Sequence, residues 1–342
     1  MYRFLRPVFF LFHPEFIHQA IMLMLGALRF VPWGRRVVRK CCTYRAPSLG
    51  VSVLGIDFPN PVGLAAGFDK NAQHVNELAC LGFGYVEVGS VTPLAQGGNP
   101  KPRCFRLPKD RAIINRMGFN NKGVAAVVKN LRRRNPTLVV GANIGKNTLT
   151  PNSHAPDDYA ACFAALYPHA DYFVVNVSCP NVTCLRDLQS REQLTAIVRR
   201  LTAFRAGQPQ RKPILLKLSP DLTPAQIDDA LEVVAREGLD GVVAANTTTR
   251  RDGLQTSPAS VDHMGAGGLS GAPLTQRALE MVRYISRKTQ GKLPIIGVGG
   301  IMTPQDALSM LRAGASLVQV YTGFIYQGPK FAKQLCRAIA AS

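Results

Sequence analysis

The alternation of short apolar segments with helix-like segments is the feature that most constrains how this chain can fold. From residue 60 onward, eight short apolar segments recur, separated by segments in which apolar residues have a helical spacing. Continuously apolar, β-branched strands are typical of parallel sheets that are covered on both faces. Eight strand–helix units in about 280 residues favour an α/β fold with a closed (βα)8 barrel, or TIM barrel, over an open doubly wound sheet. The predicted strands are 62–66, 85–89, 138–142, 172–177, 214–218, 241–245, 295–298 and 317–320.

The segments between these strands predict helices and the positions where two of them begin. Pro224 and Pro304 each follow a threonine, Thr223 and Thr303, which is the pattern of a capped helix start with proline in the first turn. The segment 45–60 is predicted to form a small hairpin that closes the bottom of the barrel. The predicted helices are 71–81, 123–134, 192–204, 224–237, 274–288 and 304–313.

The first 44 residues differ in character from the rest. Two apolar stretches, 8–12 and 16–30, are separated by Pro14, and neither has the roughly 20 apolar residues that are needed to cross a bilayer. The formal net charge of the chain is +20, and residues 1–45 hold eight Lys/Arg but one acid. Apolar helices with basic ends are typical of an element that lies in the membrane interface and attracts anionic headgroups. We therefore expect an N-terminal helical extension for membrane docking at 1–44 and the barrel at 45–342; a helical hairpin packed on the protein's own core is the alternative.

Composition also argues against two other classes of protein. No run of residues interleaves Lys/Arg with aromatic residues as nucleic-acid-binding modules do, so nucleic acid is not an expected partner. The eight cysteines form no CxxC pair and no Cys/His cluster with zinc spacing, so no metal site is expected and the thiols are expected to be reduced.

Polar residues accumulate where the predicted strands end. In a TIM barrel the chemistry lies beyond the carboxyl ends of the strands. Four successive strands end in or near Asn143, Asn176, Lys217 and Asn246, although asparagine and lysine are depleted in strands. The first strand leads into Ala66, Gly67, Phe68, Asp69 and Lys70, and an amide-rich segment, 115–121, lies between the second and third strands.

Glycine-rich segments after the last two strands predict a phosphate-bearing ligand. Residues 297–300 follow the seventh strand and 321–323 follow the eighth, where such barrels hold phosphate against backbone N–H groups. A rim with phosphate loops, two lysines, several amides and one thiol suits flavin mononucleotide (FMN) with a small anion above it. Lys217 or Lys70 would stabilise negative charge on reduced flavin. Cys179 is the candidate base, since a thiol can act as one when nearby cations lower its pKa.

Seven motifs together resemble the dihydroorotate dehydrogenase family, and the likeness extends from about residue 45 to the end of the chain. They are Ala-Ala-Gly-Phe-Asp-Lys at 65–70, Ile-Asn-Arg-Met-Gly-Phe-Asn-Asn at 114–121, Asn-Ile-Gly-Lys-Asn at 143–147, Asn-Val-Ser-Cys-Pro-Asn at 176–181, Asn-Thr-Thr at 246–248, Gly-Gly-Leu-Ser-Gly at 267–271 and Ile-Gly-Val-Gly-Gly-Ile at 296–301. The extension before them resembles that of the quinone-dependent class 2 enzymes, where it binds the membrane and forms a quinone tunnel.

The resemblance implies a reaction and its partners. Dihydroorotate would be oxidised to orotate in de novo pyrimidine (UMP) biosynthesis: a base removes a proton from C5 and hydride leaves C6 for flavin N5. A membrane quinone, ubiquinone or menaquinone, would then reoxidise FMN. The resemblance favours a monomeric peripheral membrane protein, and the lack of an Arg/Ser-rich transit segment favours the cytoplasmic face of a bacterial inner membrane.

The resemblance also assigns residues to three groups. FMN would contact Ala66, Gly67, Phe68, Asp69, Lys70, Ser90, Asn143, Asn176, Lys217, Ala245, Gly271, Gly300, Tyr321 and Thr322. Dihydroorotate would contact Lys70, Asn115, Arg116, Met117, Gly118, Phe119, Asn176, Asn181, Asn246 and Thr247. The quinone tunnel would include His18, Arg106 and Tyr321.

One residue departs from the class 2 pattern. The class 2 enzymes usually carry serine as the base, whereas Cys179 is the residue typical of the soluble class 1 enzymes. We interpret the chain as class 2 with a class 1 base. The alternatives are a soluble class 1 enzyme that reduces fumarate, another phosphate-binding barrel such as an aldolase or isomerase, and a non-enzymatic scaffold at the membrane surface.

Overall fold

The computed structural model describes residues 2–181 and 185–342, apart from the side chain of Arg186. The described strands are β1 (Val51–Val53), β2 (Ile56–Phe58), β3 (Val62–Leu64), β4 (Tyr85–Val91), β5 (Cys104–Leu107), β6 (Ala112–Asn115), β7 (Val139–Ile144), β8 (Tyr172–Asn176), β9 (Ile214–Leu218), β10 (Gly241–Ala244), β11 (Gly268–Gly271), β12 (Ile295–Val298) and β13 (Leu317–Val320). Eight of them form one closed parallel barrel, which confirms the predicted (βα)8 fold; they are β3, β4, β7, β8, β9, β10, β12 and β13.

The helices surround the barrel and precede it. The predicted helix starts at Thr223 and Thr303 are confirmed: each threonine accepts the backbone N–H of the third helical residue, and that residue's side chain accepts from the threonine N–H. The helices are α1 (Tyr2–Leu11), α2 (Pro14–Ala27), α3 (Gly34–Cys42), α4 (Val75–Ala79), α5 (Val124–Leu131), α6 (Ala155–Leu166), α7 (Arg191–Ala206), α8 (Pro224–Arg236), α9 (Pro258–Met264), α10 (Thr275–Lys288), α11 (Pro304–Arg312), α12 (Thr322–Gln327) and α13 (Phe331–Ala340).

The lower half of the barrel interior is an apolar core built around two tyrosines. Tyr85 and Tyr172 point inward and are fully buried. Glycines on the neighbouring strands make room for them: a Cβ on Gly63 would lie 2.3 Å from Tyr85 Cζ, and one on Gly141 would lie 2.1 Å from Tyr172 Cζ. The predicted hairpin is confirmed as β1 and β2, and its Phe58 packs edge-on against Tyr85, with ring centroids 5.1 Å apart. The hairpin therefore closes the bottom of the barrel.

The upper half of the interior is polar because the inward positions change character along the strands. Side chains alternate between the two faces of a strand, so residue 87 points inward as residue 85 does. By this rule Glu87, Asn176, Lys217 and Gln319 occupy the inward positions towards the carboxyl ends. The same inward-facing positions that carry apolar residues at the bottom of the barrel therefore carry polar residues at its upper end.

Two parts of the barrel differ from the prediction. A helix was predicted at 71–81, but the observed helix begins only at Val75, so the prediction is wrong for the first turn. Asp69 accepts the backbone N–H groups of Gln73 and His74, at 2.9 and 2.7 Å, and thereby holds the preceding residues in turns. A second sheet, in which β6 pairs antiparallel with β5 and β11, was not predicted. Its strands are four residues long and lie in loops outside the eight-unit pattern.

The N-terminal extension consists of three helices, one more than the two that Pro14 predicts. The helix α1 packs on α12: the Arg6 guanidinium donates to the carbonyl of Tyr326 at 3.1 Å, and Phe10 packs edge-on against the Tyr326 ring. The helix α3 is held by an ion pair between Arg35 and Glu77 of α4. One surface of the extension is therefore packed on the barrel.

Another surface of the extension is apolar and exposed. Of the fourteen large hydrophobic side chains that are exposed among the described residues, twelve lie between residues 4 and 37. Within residues 2–181 and 185–342, no single helix has the length and apolar character to cross a membrane; the pair Pro14–Phe30 and Gly34–Cys42 meets the criterion only jointly, across a 119° bend.

Candidate active site

One cavity of about 570 Å³ runs from the carboxyl ends of the barrel strands to the inner face of α1 and α2. This volume is in the range of sites that hold small ligands and cofactors. Most of the residues predicted from the sequence line it. They are Ala66, Gly67, Phe68, Lys70, Ser90, Asn115, Met117, Gly118, Phe119, Asn176, Cys179, Asn181, Lys217, Ala245, Asn246, Thr247, Gly271, Gly300, Tyr321 and Thr322, together with His18 and Arg106 at the extension.

An amide network forms the floor of the cavity. The Asn176 side chain donates to the Ser90 hydroxyl at 2.8 Å and to the Asn143 side-chain oxygen at 3.1 Å. Asn246 in turn donates to Asn176 Oδ1 at 3.3 Å and to Ser178 Oγ at 3.0 Å. Because each amide is held by its neighbours, the groups that face the cavity are fixed in orientation before any ligand binds.

A buried carboxylate lies beneath this network. Glu87 is fully buried and accepts from Asn143 at 2.9 Å and from Gln319 at 2.7 Å. The Lys217 ammonium lies 3.9 Å from Glu87 Oε1 and is almost fully buried itself. A charge in the interior requires a partner, so Glu87 accounts for a lysine at the end of an apolar strand.

The thiol side of the cavity carries amides and a cation. Cys179 is buried and follows β8 by three residues. The Asn181 amide donates to Asn115 Oδ1 at 2.9 Å, which joins the β8 loop to the end of β6. Burial lowers the pKa of Lys70 to about 8, and the carboxylate of Glu15 partly offsets this by supporting the ammonium. The arrangement suits a small anion that needs hydrogen-bond donors and a cation.

The opposite side of the cavity is formed by the glycine-rich loops after β12 and β13. Gly299, Gly300, Thr322 and Gly323 line it, and the three glycines have only backbone atoms to present. Thr322 and Gly323 begin α12, and the first N–H groups of a helix have no partner inside the helix. The Thr322 hydroxyl lies 2.8 Å from that of Ser270. Such a surface presents donors and no carboxylate to a ligand.

The extension forms the far end of the cavity. The His18 ring packs edge-on against Phe68, with centroids 4.9 Å apart, and burial lowers its pKa to about 4, so the imidazole is neutral. Arg106 donates to the carbonyl of Phe12 at 2.7 Å, which ties it to the end of α1. Tyr321 packs against Phe68, and burial raises its pKa. This end is mostly apolar, with a few polar groups.

This fold and site agree with those of one protein family. A family model described as Dihydroorotate dehydrogenase matches residues 48–342. The chain belongs to the dihydroorotate dehydrogenase family. It is 48% identical over 340 residues to the dihydroorotate dehydrogenase (quinone) of Christiangramia forsetii, covering 99% of this chain and 98% of that one. It is 49% identical to the enzyme of the same name from Nocardia farcinica, covering 99% and 92% of the two chains.

A solved structure gives the same result. The crystal structure of DHODH from Eimeria tenella in complex with ferulenol is 37% identical to this chain, with a TM-score of 0.84. The match covers 95% of this chain and 90% of the other. The likeness to dihydroorotate dehydrogenases therefore includes the extension as well as the barrel.

Three residues predicted for the site of this dihydroorotate dehydrogenase family member do not line the cavity. Asp69 caps the turn before α4 through both carboxylate oxygens. Asn143 lies one layer below the surface, between Glu87 and Asn176. The Arg116 guanidinium turns away and donates to the carbonyl of Pro102 at 2.9 Å. Asn143 therefore supports the site through Asn176 and Ser90, which both donate to its side-chain oxygen.

Several residues of the cavity were missed by sequence reasoning. Gln319 in the cavity and Glu87 beneath it were detectable, because each is a polar residue among apolar residues of a strand, which is the argument applied to Lys217. Glu15 was detectable as the one acid among the first 45 residues. Cys104 carried no such signal, since its place in the cavity depends on the unpredicted second sheet.

Two further expectations from the sequence concern disulfides and metal sites. The described cysteines form no disulfide, and burial raises the pKa of Cys104 to about 11. Within residues 2–181 and 185–342, no group of three or more His, Cys, Asp or Glu side chains is placed to hold a metal ion.

Proposed function

We propose that this protein oxidises (S)-dihydroorotate to orotate in pyrimidine biosynthesis, with FMN in the barrel end of the cavity and a membrane quinone as the electron acceptor. The observation that carries the proposal is the continuity of the cavity. One space connects Cys179 and the amides around it, the glycine-rich loops, and a mostly apolar end between the barrel and α1 and α2. A reaction with a polar reductant and an apolar oxidant requires such a path.

The residues around the cavity fit FMN. The loops after β12 and β13 would hold its phosphate, because they present glycine backbone and the start of α12 and carry no acid at the surface. Ala66, Gly67 and Ala245 have small side chains that allow a flat ring system to approach the backbone. Lys217 would lie at the ring edge and stabilise negative charge there. When bound, FMN would supply a two-electron acceptor for the hydride that leaves C6 of dihydroorotate.

Cys179 is proposed as the base that takes the proton from C5 of dihydroorotate. Its thiol is buried in the cavity, and the Lys70 ammonium interacts electrostatically with it, which favours the thiolate. Asn115, Asn181 and Asn246 would hold the ring of the substrate, and Lys70 would balance its carboxylate. Exclusion of water by these side chains strengthens each of these interactions.

The extension is proposed to bring the protein to the membrane and to admit the quinone. Residues 1–44 would form this part and 45–342 the catalytic barrel. The exposed side chains Phe4 and Leu11 of α1 and Trp33 before α3 would enter the interface, while the exposed Arg36 and Lys40 approach anionic headgroups. His18, Arg106 and Tyr321 would then contact the quinone head group. The protein would then lie at the periphery of the membrane, on the cytoplasmic face in a bacterium.

The test compares the reaction of two cysteine variants of the purified protein. Cys179→Ala is expected to abolish reduction of ubiquinone by dihydroorotate, because no group replaces the proton acceptor, while bound FMN and its colour are retained. Cys162→Ala is the matched control: Cys162 of α6 is fully buried, its thiol donates to the carbonyl of Val91, and it does not line the cavity. It is expected to keep its activity.

The outcomes separate the candidate functions. Full activity of Cys179→Ala would contradict the assignment of the base. Turnover with fumarate in place of quinone would indicate the soluble type of enzyme, and a wild-type protein that takes up no FMN would contradict the proposed function as a whole.

A further inference from the structure

A buried ion pair joins the N-terminal extension to the barrel beside the cavity. Glu15 of α2 and Arg103, just before β5, are both more than nine-tenths buried. The guanidinium donates from Nε and Nη2 to Glu15 Oε1, at 3.1 and 3.0 Å. Glu15 also lines the cavity, and its other oxygen, Oε2, is buried without a hydrogen-bond partner among the described residues. Holding two charges away from water is costly unless their geometry is good and further hydrogen bonds satisfy both groups, and Oε2 of Glu15 has no such bond among the described residues.

Arg103 continues the connection towards the proposed substrate side. Its Nη1 donates to the carbonyls of Gly97 and Asn99, at 2.6 and 2.9 Å. The Asn99 side chain donates in turn to the carbonyl of Asn181 at 3.0 Å. Asn181 is the proposed substrate amide that follows Cys179 by two residues. A chain of direct hydrogen bonds therefore leads from the extension to the substrate loop.

The charge of Glu15 also acts on the proposed substrate site electrostatically, through Lys70. Burial lowers the pKa of Lys70 to about 8, the neighbouring charge of Arg103 lowers it as well, and the carboxylate of Glu15 supports the ammonium. Loss of the negative charge at residue 15 would leave Arg103 unopposed and lower the pKa of Lys70 further. The ammonium would then be lost at a lower pH.

We propose that Glu15 is a positioning residue for the dihydroorotate site, which it supports from the extension through Arg103 and Asn99 and through the cation at Lys70. The extension thus completes the substrate half of the active site in addition to docking the acceptor. The inference rests on the proposed function, since it takes orotate as the ligand of this site.

The experiment measures orotate binding to the FMN-loaded full-length protein by isothermal titration calorimetry between pH 6 and 9. Glu15→Gln keeps the shape of the side chain and removes its charge. It is expected to raise the Kd for orotate about tenfold, in line with a lost charged hydrogen bond. It should also shift the pH above which binding weakens to a lower value, because Lys70 loses its proton earlier.

Two further variants separate the routes and control for stability. Asn99→Ala removes the bond to Asn181 but leaves the ion pair intact, so it should raise the Kd without shifting the pH dependence. Glu77→Gln is the matched control, because Glu77 is another buried carboxylate that ties the extension to the barrel, through Arg35. It lies outside the cavity and should change neither the Kd nor its pH dependence.

The results distinguish failure of this inference from failure of the proposed function. If Glu15→Gln and Asn99→Ala both bind orotate as Glu77→Gln and the wild type do, at every pH, Glu15 is merely structural and the inference is overturned. If Glu15→Gln does not fold, Asn99→Ala alone decides, and an unchanged Kd overturns it. A wild-type protein that binds no orotate contradicts the proposed function instead.

Discussion

Leu11→Ser is expected to weaken membrane binding without affecting the fold. Phe4, Val8 and Leu11 form one apolar stripe on α1 and are 81%, 50% and 83% exposed. The opposite face of α1 holds it to the barrel through Arg6 and Phe10. The substitution therefore removes little packing within the protein.

The magnitude follows from the exposed fraction. Full burial of a leucine side chain is worth about 1.5–3 kcal/mol. With 83% of Leu11 available to the membrane and an interfacial rather than central location, we expect a loss of about 1.4 kcal/mol. This corresponds to about a tenfold smaller partition coefficient.

The assay is co-sedimentation with vesicles that contain anionic lipid, over a range of lipid concentrations. Leu149→Ser is the matched control, because Leu149 is 95% exposed but lies on the barrel after β7. It should bind vesicles as the wild type does. Equal partitioning of Leu11→Ser and Leu149→Ser would refute the docking surface.

Two further predictions concern stability and are measured by urea denaturation. Gly141→Ala should lower the free energy of unfolding by about 3 kcal/mol, because the added Cβ would lie 2.1 Å from Tyr172 Cζ in a packed core. Gly50→Ala is the control and should leave the free energy of unfolding unchanged, because the nearest atom to its Cβ would be 3.6 Å away. Equal effects of the two substitutions would contradict the packing argument. The pKa of His18 is about 4 in the folded protein and about 6.5 when unfolded, so the unfolded state binds protons first as the pH falls, and about 2 kcal/mol of stability is lost between pH 7.5 and 5. His18→Gln should lose correspondingly less over this interval, and an unchanged pH dependence would contradict that origin.

The barrel could be predicted from the sequence because its strands obey one local rule. Each strand is apolar over most of its length and is bounded by turn residues, so the strands 214–218, 295–298 and 317–320 were placed to the residue. The capped starts of α8 and α11 are equally local, since a threonine and the side chain three residues later determine them.

The second sheet and the exact role of some polar residues could not be predicted, because both depend on distant contacts. The strand β11 pairs with β6, more than 150 residues earlier in the chain. Asp69 and Asn143 belong to motifs that mark the site, but their side chains support its neighbours and do not face the cavity. A sequence motif shows which residues lie near the site, but the direction in which each side chain points depends on the folded structure.

The absorbance spectrum of the purified protein tests the central claim most directly. We expect bound FMN, which is seen as a flavin absorbance band in the blue region of the spectrum. This band should bleach when dihydroorotate is added without oxygen and return when a quinone is added. A protein that stays colourless after incubation with FMN, or a flavin band that dihydroorotate leaves unchanged, would contradict the account.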